Sequence, residues 1–118
     1  MAQHVILRSI VLDSADPRAL AEFYSKATGW PVTSADDDWA AVGDGPVTMG
    51  FQLVEGYRGP GWPDPAKHAH LDFRTADPAA AVDQLVAAGA VRPEFQPGGA
   101  DWTVLTDPEG HPFCVMAG

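Results

Sequence analysis

Three residues whose side chains could do chemistry alternate along one short stretch of the sequence. His68, His70 and Asp72 are separated by single apolar residues. Side chains of a strand alternate between its two faces, so we expect the apolar residues to pack on a helix and the polar ones to face solvent or a cleft. The imidazoles and the carboxylate could bind a metal ion. However, alternate side chains stand roughly 6.5–7 Å apart along a strand, which disfavours a site made of these three residues alone.

This stretch belongs to the second copy of an internal repeat. Residues 14–17, with the sequence SADP, recur as TADP at residues 75–78, and each copy precedes apolar residues at helical spacing. The aspartates are typical helix N-caps, and the prolines suit the first helical position. Gly29 and Gly89 are typical of helix C-termini. The sequence therefore predicts one helix in each half of the chain.

Short strands are predicted after each helix, separated by turns rich in glycine and proline. In the first half they are residues 31–34, 39–42 and 47–54, with a turn at 43–46. In the second half they are residues 91–95, 102–106 and 112–116, with turns at 96–100 and 107–110. Each half is thus a βαβββ module. Module 1 covers about 1–55 and module 2 about 68–118, joined by a Gly/Pro-rich linker at about 56–67.

Equivalent strands of the two modules place four residues at matching positions. Ser9 lies 61 residues before His70. In the last strands, Phe51 matches Phe113 at an offset of 62 and is expected to face the helix, which directs Gln52 and Cys114 to the opposite face. A concave sheet built from the two modules would bring this quartet together at its centre. The members of the quartet are Ser9, Gln52, His70 and Cys114.

The chain resembles the vicinal oxygen chelate superfamily, which contains glyoxalase I, the extradiol dioxygenases and the bleomycin-resistance proteins. The resemblance covers essentially the whole chain and rests on residues 16–24, 29–30, 70–72 and 107–113, and the WPDP segment at 62–65 is similar to the actinobacterial glyoxalase-like branch. It implies an α+β fold. The two βαβββ modules would form a curved, cleft-bearing mixed sheet with the helices on its outer face, as a single glyoxalase-like domain over residues 1–118.

Metal-dependent members of this superfamily have His, Gln or Glu at the four quartet positions. Of the residues found here, only His70 is a strong ligand, and Cys114 stands where the resemblance implies a glutamate that binds metal and moves a proton. The mixed set matches none of the usual coordination classes, and it lacks the carboxylate that glyoxalase I chemistry requires. We therefore expect no bound transition metal or magnesium, no cofactor and no catalytic residue.

A ligand-binding site is nevertheless predicted in the cleft between the modules. Trp62 could close over a ligand or pack the linker against the sheet. His70 could contact the ligand or make hydrogen bonds within the sheet. Cys114 is expected to be a small buried hydrophobic residue rather than a reactive thiol, and His111 is expected at the surface. The predicted ligand-binding residues are Ser9, Gln52, Trp62, His70, Asp72, Trp102 and Cys114.

Composition limits the partners of the protein. Its 118 residues include 7 Lys and Arg against 16 Asp and Glu, which gives a net charge of −9 and a pI near 4.5. This charge disfavours nucleic acids and anionic membranes. A single cysteine and the absence of a signal-peptide pattern favour the cytoplasm. Short sheets with edge strands, together with four tryptophans, favour a homodimer.

Three functions compete at this point. The first is a metal-independent protein that binds a small molecule in its cleft, as the bleomycin-resistance proteins do. The second is a metal-dependent lyase or isomerase of the glyoxalase type, which a divalent ion between Gln52 and His70 would support. The third is a non-catalytic interaction module whose cleft is filled by its own side chains. The incomplete metal quartet and the aromatic loop favour the first.

Overall fold

The computed structural model of the protein describes residues 5–118, which form two compact units that divide between Tyr57 and Arg58. The first unit contains β1 (Ser9–Ser14), α1 (Pro17–Thr28), β2 (Val32–Ala35), β3 (Trp39–Val42) and β4 (Thr48–Leu53). The second contains β5 (Leu71–Thr75), α2 (Pro78–Ala87), β6 (Trp102–Thr106) and β7 (Pro112–Ala117). Within the described part of the chain, neither helix is long and apolar enough to cross a bilayer.

Each unit contains one mixed sheet. The strand order is β1-β4-β3-β2 in the first unit and β5-β7-β6 in the second. In both, the strand before the helix pairs in parallel with the last strand, and the last strand pairs in antiparallel fashion with the strand before it. The predicted α+β class is confirmed, and the shared pairing scheme is the structural form of the sequence repeat.

Both helices begin as the sequence predicts. The carboxylate of Asp16 accepts a hydrogen bond from the backbone N–H of Ala19 at 3.2 Å, and Asp77 does the same for Ala80 at 3.2 Å. These bonds satisfy amides of the first turn that have no partner within the helix. The first helix ends at Gly29, whose φ of 75° is the left-handed conformation that glycine adopts at little cost.

The core of the first unit lies between α1 and its sheet. Leu20, Phe23 and Tyr24 lie on one side of the helix and are at most 3% exposed. The Tyr24 ring stacks on that of Phe51 with centroids 5.5 Å apart, and it meets the Phe23 ring edge-on at 5.0 Å. The helix therefore packs on the sheet face that carries Phe51, as the alternation of apolar residues predicts.

The core of the second unit follows the same plan with fewer aromatic rings. Phe73 and Phe113 meet edge-on at 5.6 Å, and Leu105 and Val115 are at most 2% exposed. Helix α2 packs against β5 and β7 and buries Val82. The opposite face of this sheet, turned away from α2, is therefore the one that can present polar groups.

The predicted strand at residues 91–95 is wrong. Within this segment only Val91 pairs with a strand, through a single bridge to Thr106. Pro93 has no N–H to contribute to a ladder, and the side chain of Gln96 takes over the pairing. Its amide nitrogen donates to the Val104 carbonyl at 2.9 Å, and its oxygen accepts from the Val104 N–H at 2.8 Å. A side chain thus replaces the backbone of a strand.

The predicted offset of 62 between the last strands is also wrong. Asp72 pairs with Cys114, whereas Val11, which lies 61 residues before Asp72, pairs with Gly50. Cys114 is therefore equivalent to Gly50, and Gln52 is equivalent to Met116, at an offset of 64. The shift of two residues keeps every side chain on its predicted face because strands have a period of two. It separates Gln52 from the position equivalent to Cys114.

The residues expected to form the linker after Tyr57 contact the second unit. The N–H groups of Gly59 and Gly61 donate to the carbonyls of Glu109 and Gly110 at 2.7 and 2.8 Å. A Cβ atom on Gly59 would lie 2.4 Å from the backbone of Gly110, so glycine is required for this close approach. Residues 58–61 are therefore held against the turn between β6 and β7.

Candidate functional site

The sheet face turned away from the helix, which we call the distal face, gathers most of the predicted site residues of the second unit. In the register of the sheet, Asp72 is opposite Cys114, and Cys114 is opposite Val104. Paired residues point to the same side of a sheet, and so do residues two apart on one strand. Asp72, Cys114 and Trp102 therefore share the distal face, and His70 lies just before β5 at its edge.

Three of these side chains form a compact cluster. The Nε2 atom of His70 lies 3.2 Å from the Oδ1 atom of Asp72. One donor atom from each of His70, Asp72 and Cys114 lies within 4.8 Å of the other two. The imidazole and carboxylate side chains are 40% and 59% exposed, whereas Cys114 is 6% exposed. The cluster therefore has a buried thiol at its base and two solvent-accessible groups above it.

The environment of Cys114 keeps its thiol protonated. Burial raises the pKa of the thiol above its ordinary value, and the negative charge of Asp72 and a hydrogen bond to Asp72 raise the pKa further. The ammonium of Lys67 acts in the opposite direction but does not reverse the shift. Since the thiolate is the nucleophilic form, these contacts make Cys114 a poor nucleophile at neutral pH.

Trp62 packs on its own unit. Its ring stacks on that of Phe95 with centroids 6.3 Å apart and an interplanar angle of 19°. Its Nε1–H donates to the Phe95 carbonyl at 3.1 Å, and the ammonium of Lys67 lies 5.2 Å from the ring centroid. These contacts correspond to the packing alternative for Trp62. The ring remains partly exposed, so a contact with a ligand stays a prediction.

Trp102 begins β6 on the distal face and is 39% exposed. A Cβ atom on Gly98 would lie 2.4 Å from the indole ring, so the ring packs directly on the Gly98 backbone. The absence of a side chain at Gly98 lets the tryptophan lie flat beside the strand while it keeps part of its surface open to solvent. Trp102 can therefore offer an apolar surface next to the polar cluster.

The distal face of the first unit carries the other predicted site residues and one that the sequence analysis missed. Ser9 and Gln52 share this face through the pairs Ser9–Thr48 and Asp13–Gln52. Trp39 lies opposite Gln52, and its indole lies across Gly50, where a Cβ atom would come within 2.3 Å of the ring. Trp39 belongs to the same face as the predicted polar residues.

Pairing shows that Trp39 and Trp102 are equivalent residues of the two units. Trp39 is opposite Gln52, and Trp102 is opposite Met116, which is the residue equivalent to Gln52. Each tryptophan also packs on a glycine, Trp39 on Gly50 and Trp102 on Gly98. The sequence signal for this pair was a tryptophan at the start of a strand in each half, 63 residues apart, which the fixed offset of 61 or 62 obscured.

His111 is buried, so its expected surface position is wrong. It is 8% exposed, and its Nδ1 atom lies 2.7 Å from the Oδ2 atom of Asp107, which is 1% exposed. The other carboxylate oxygen of Asp107 accepts from the N–H groups of Glu109 and His111 at 2.8 and 3.1 Å. A single carboxylate thus organises the turn between β6 and β7, and the spacing of Asp107 and His111 was its signal in the sequence.

The repeated pattern of a strand, a helix and a small mixed sheet is that of the vicinal oxygen chelate superfamily. A family model described as a glyoxalase-like domain matches residues 9–116, and the chain belongs to this family. Among curated proteins, none is significantly similar to the chain in sequence.

Solved structures of this class share the fold. A glyoxalase-related enzyme from Fulvimarina pelagi is 20% identical, with a TM-score of 0.68 over 99% of this chain and 89% of that one. The bleomycin-binding protein of Streptomyces verticillus, solved with copper(II)-bleomycin, is 20% identical, with a TM-score of 0.62 over 100% and 99%. A bleomycin resistance determinant encoded on the transposon Tn5 is 22% identical, with a TM-score of 0.59 over 96% and 98%.

Proposed function

We propose that this glyoxalase-like protein binds a small organic molecule in a cleft between its modules, and that binding does not require a metal ion. The observation that carries this proposal is the equivalent placement of Trp39 and Trp102, each on a distal face beside polar side chains. Aromatic surface with a few polar groups is the usual composition of small-molecule sites.

Polar partners for a ligand are available next to each tryptophan. Gln52 is exposed opposite Trp39, and its amide can both donate and accept hydrogen bonds. In the second unit, His70 and Asp72 are exposed beside the buried Cys114. The fold shared with the bleomycin-binding protein of Streptomyces verticillus supports a binding role for this architecture. A ligand with a planar ring and several hydrogen-bonding groups would suit these side chains.

Metal independence rests on the residues at the superfamily ligand positions. In the first unit these positions hold Ser9 and Gln52, which are weak ligands because neither is charged. Ligand binding should therefore persist after treatment with EDTA. The competing function, a metal-dependent isomerase of the glyoxalase type, requires that chelation abolish both binding and turnover.

Thermal unfolding of EDTA-treated protein tests the proposal. Metal-free bleomycin and a panel of small aromatic compounds serve as probes. A compound present at 100 times its Kd should raise the free energy of unfolding by about 2.7 kcal/mol, and the effect should grow with concentration. For a compound that binds, Trp102→Ala should weaken binding by about 1–3 kcal/mol if the ring is an anchor. Gln52→Ala should also weaken it, because both modules are expected to contribute.

Trp30 provides the matched control for the tryptophan substitution. Trp30 and Trp102 are both 39% exposed, but Trp30 lies outside the strands and packs on Gly43. Trp30→Ala should therefore leave affinity unchanged. Equal losses for the two substitutions would contradict a site at the distal face, and so would the absence of any stabilising compound in EDTA.

We also propose that the protein is a homodimer. Strand β2 lies at the edge of its sheet and exposes Val32 to 44%. Before β1, three apolar residues are between 63% and 86% exposed, namely Val5, Ile6 and Leu7. Edge strands and exposed apolar side chains favour association. Light scattering at micromolar concentration should give twice the chain mass of 12.5 kDa, and a monomer mass would refute the dimer.

A cytoplasmic location is part of the same proposal. Cys114 is free and buried, and it cannot form a disulfide within the chain because it is the sole cysteine. Proteins of a reducing compartment have no need of disulfides. Fractionation of cells that produce the protein tests this location.

A further inference from the structure

We infer that His70, Asp72 and Cys114 bind one zinc ion in the second unit. This site goes beyond the proposed function, since binding of the organic ligand does not depend on it. The three residues supply an imidazole nitrogen, a carboxylate oxygen and a sulfur, which are the ligand types that zinc takes in proteins. The sequence disfavoured a triad of His68, His70 and Asp72. The fold replaces His68 with Cys114 from the neighbouring strand.

The spacing of the donor atoms suits a tetrahedral ion. Zinc bonds of roughly 2.0–2.3 Å imply separations of about 3.3–3.6 Å between neighbouring donor atoms. The Nε2 atom of His70 and the Oδ1 atom of Asp72 are 3.2 Å apart, and no pair of donors in the cluster is more than 4.8 Å apart. Small side-chain rotations would bring the sulfur of Cys114 into range. Asp72 and Cys114 are held by their pairing across β5 and β7.

The three ligands leave the fourth position of a tetrahedron open. His70 and Asp72 are exposed, so an ion can enter from solvent and a water molecule can complete its coordination. This arrangement differs from the superfamily quartet, which draws its ligands from both modules. It uses Asp72, which is not a quartet position, and it lies in one unit. Lys67, which is close enough to influence Cys114, is the opposing charge.

The first unit shows that this donor set is not a general feature of the fold. The residues of the first unit that are equivalent to His70, Asp72 and Cys114 are Ser9, Val11 and Gly50. Two of these have no donor atom in the side chain, and the hydroxyl of Ser9 is a poor zinc ligand. The same fold thus carries a three-donor cluster in one copy of the repeat and none in the other. We therefore expect one zinc ion for each chain.

Calorimetric titration of the EDTA-treated, dialysed protein with ZnCl2 tests the site, with no organic ligand present. We expect one ion for each chain and no response to MgCl2, because a thiol favours a soft cation. Titration with CoCl2 should produce a thiolate-to-cobalt charge-transfer band that Cys114→Ser removes. Even hydrogen-bond partners of metal ligands are worth about 10- to 100-fold in affinity. Both His70→Ala and Asp72→Ala should therefore weaken zinc binding by at least tenfold.

His68→Ala is the matched control, since His68 is also exposed and lies two residues from His70 but outside the cluster. It should leave zinc affinity unchanged. The site is refuted if the protein takes up no zinc, or if His68→Ala weakens binding as much as His70→Ala does. It is also refuted if the cobalt band persists in Cys114→Ser. Should that substitution fail to fold, the comparison of His70→Ala with His68→Ala decides, because both side chains are exposed.

Discussion

Phe23→Ala should lower the free energy of unfolding by about 3–5 kcal/mol, the usual cost of removing a buried phenylalanine. The ring is 3% exposed and packs edge-on against Tyr24, which in turn stacks on Phe51. Its loss would leave a cavity between α1 and the sheet that neighbouring aromatic rings are too rigid to fill. Urea denaturation followed by circular dichroism measures the change as a lower midpoint at an unchanged slope.

Trp62→Ala provides the comparison. Trp62 stacks on Phe95 and donates one hydrogen bond to a backbone carbonyl, but it remains partly exposed. Its replacement should cost about 1 kcal/mol, in the range of a net hydrogen bond or an aromatic pair. If Trp62→Ala destabilised the protein as much as Phe23→Ala, the loop would be part of the core. A cost of less than about 1 kcal/mol for Phe23→Ala would contradict the packing of α1.

Local rules predicted the helices well because the signals lie within a few residues. The carboxylates of Asp16 and Asp77 act within their own helix turns, and their capping bonds follow from position alone. Strands 39–42 and 102–106 were predicted with their observed bounds, since turns rich in glycine and proline delimit them. Such features need no information from distant parts of the chain.

Features that depend on distant contacts were the ones missed. The failure of the strand at 91–95 depends on Gln96, whose side chain bonds to Val104 eight residues away. Loops of unequal length shifted the last strands from the expected offset of 62 to 64, which no count along a single strand reveals. The cluster of His70, Asp72 and Cys114 requires the pairing of β5 with β7, and the sequence alone did not give that register.

The burial of His111 is a further long-range effect. Its sequence context, Asp-Pro-Glu-Gly-His, is typical of an exposed turn. Gly59 and Gly61 approach the same turn from elsewhere in the chain and bond to the carbonyls of Glu109 and Gly110. The turn is thus covered on one side, and a histidine in a polar segment becomes 8% exposed. The Asp107 carboxylate satisfies the imidazole in that setting.

Asp107→Ala should lower the free energy of unfolding by about 2–4 kcal/mol. The substitution removes the acceptor for two backbone N–H groups, those of Glu109 and His111, and the partner of the His111 ring. Buried groups that lose their only polar partner cost about 1–3 kcal/mol each, and water can reach Glu109, which is only partly buried. Urea denaturation gives the difference between the variant and the wild type.

The exposed counterpart of this hydrogen bond is found at Asp64, whose carboxylate accepts from the N–H of Ala66 at 2.8 Å. This bond links residues two apart, as the bond from Glu109 to Asp107 does, but it lies in contact with solvent, so water can replace it. Asp64→Ala should therefore cost less than about 1 kcal/mol. Similar costs for the two substitutions would show that burial of the β6–β7 turn contributes nothing to its stability. A larger cost at Asp107 alone identifies the buried carboxylate as the group that holds residues 58–61, the turn and the start of β7 in register.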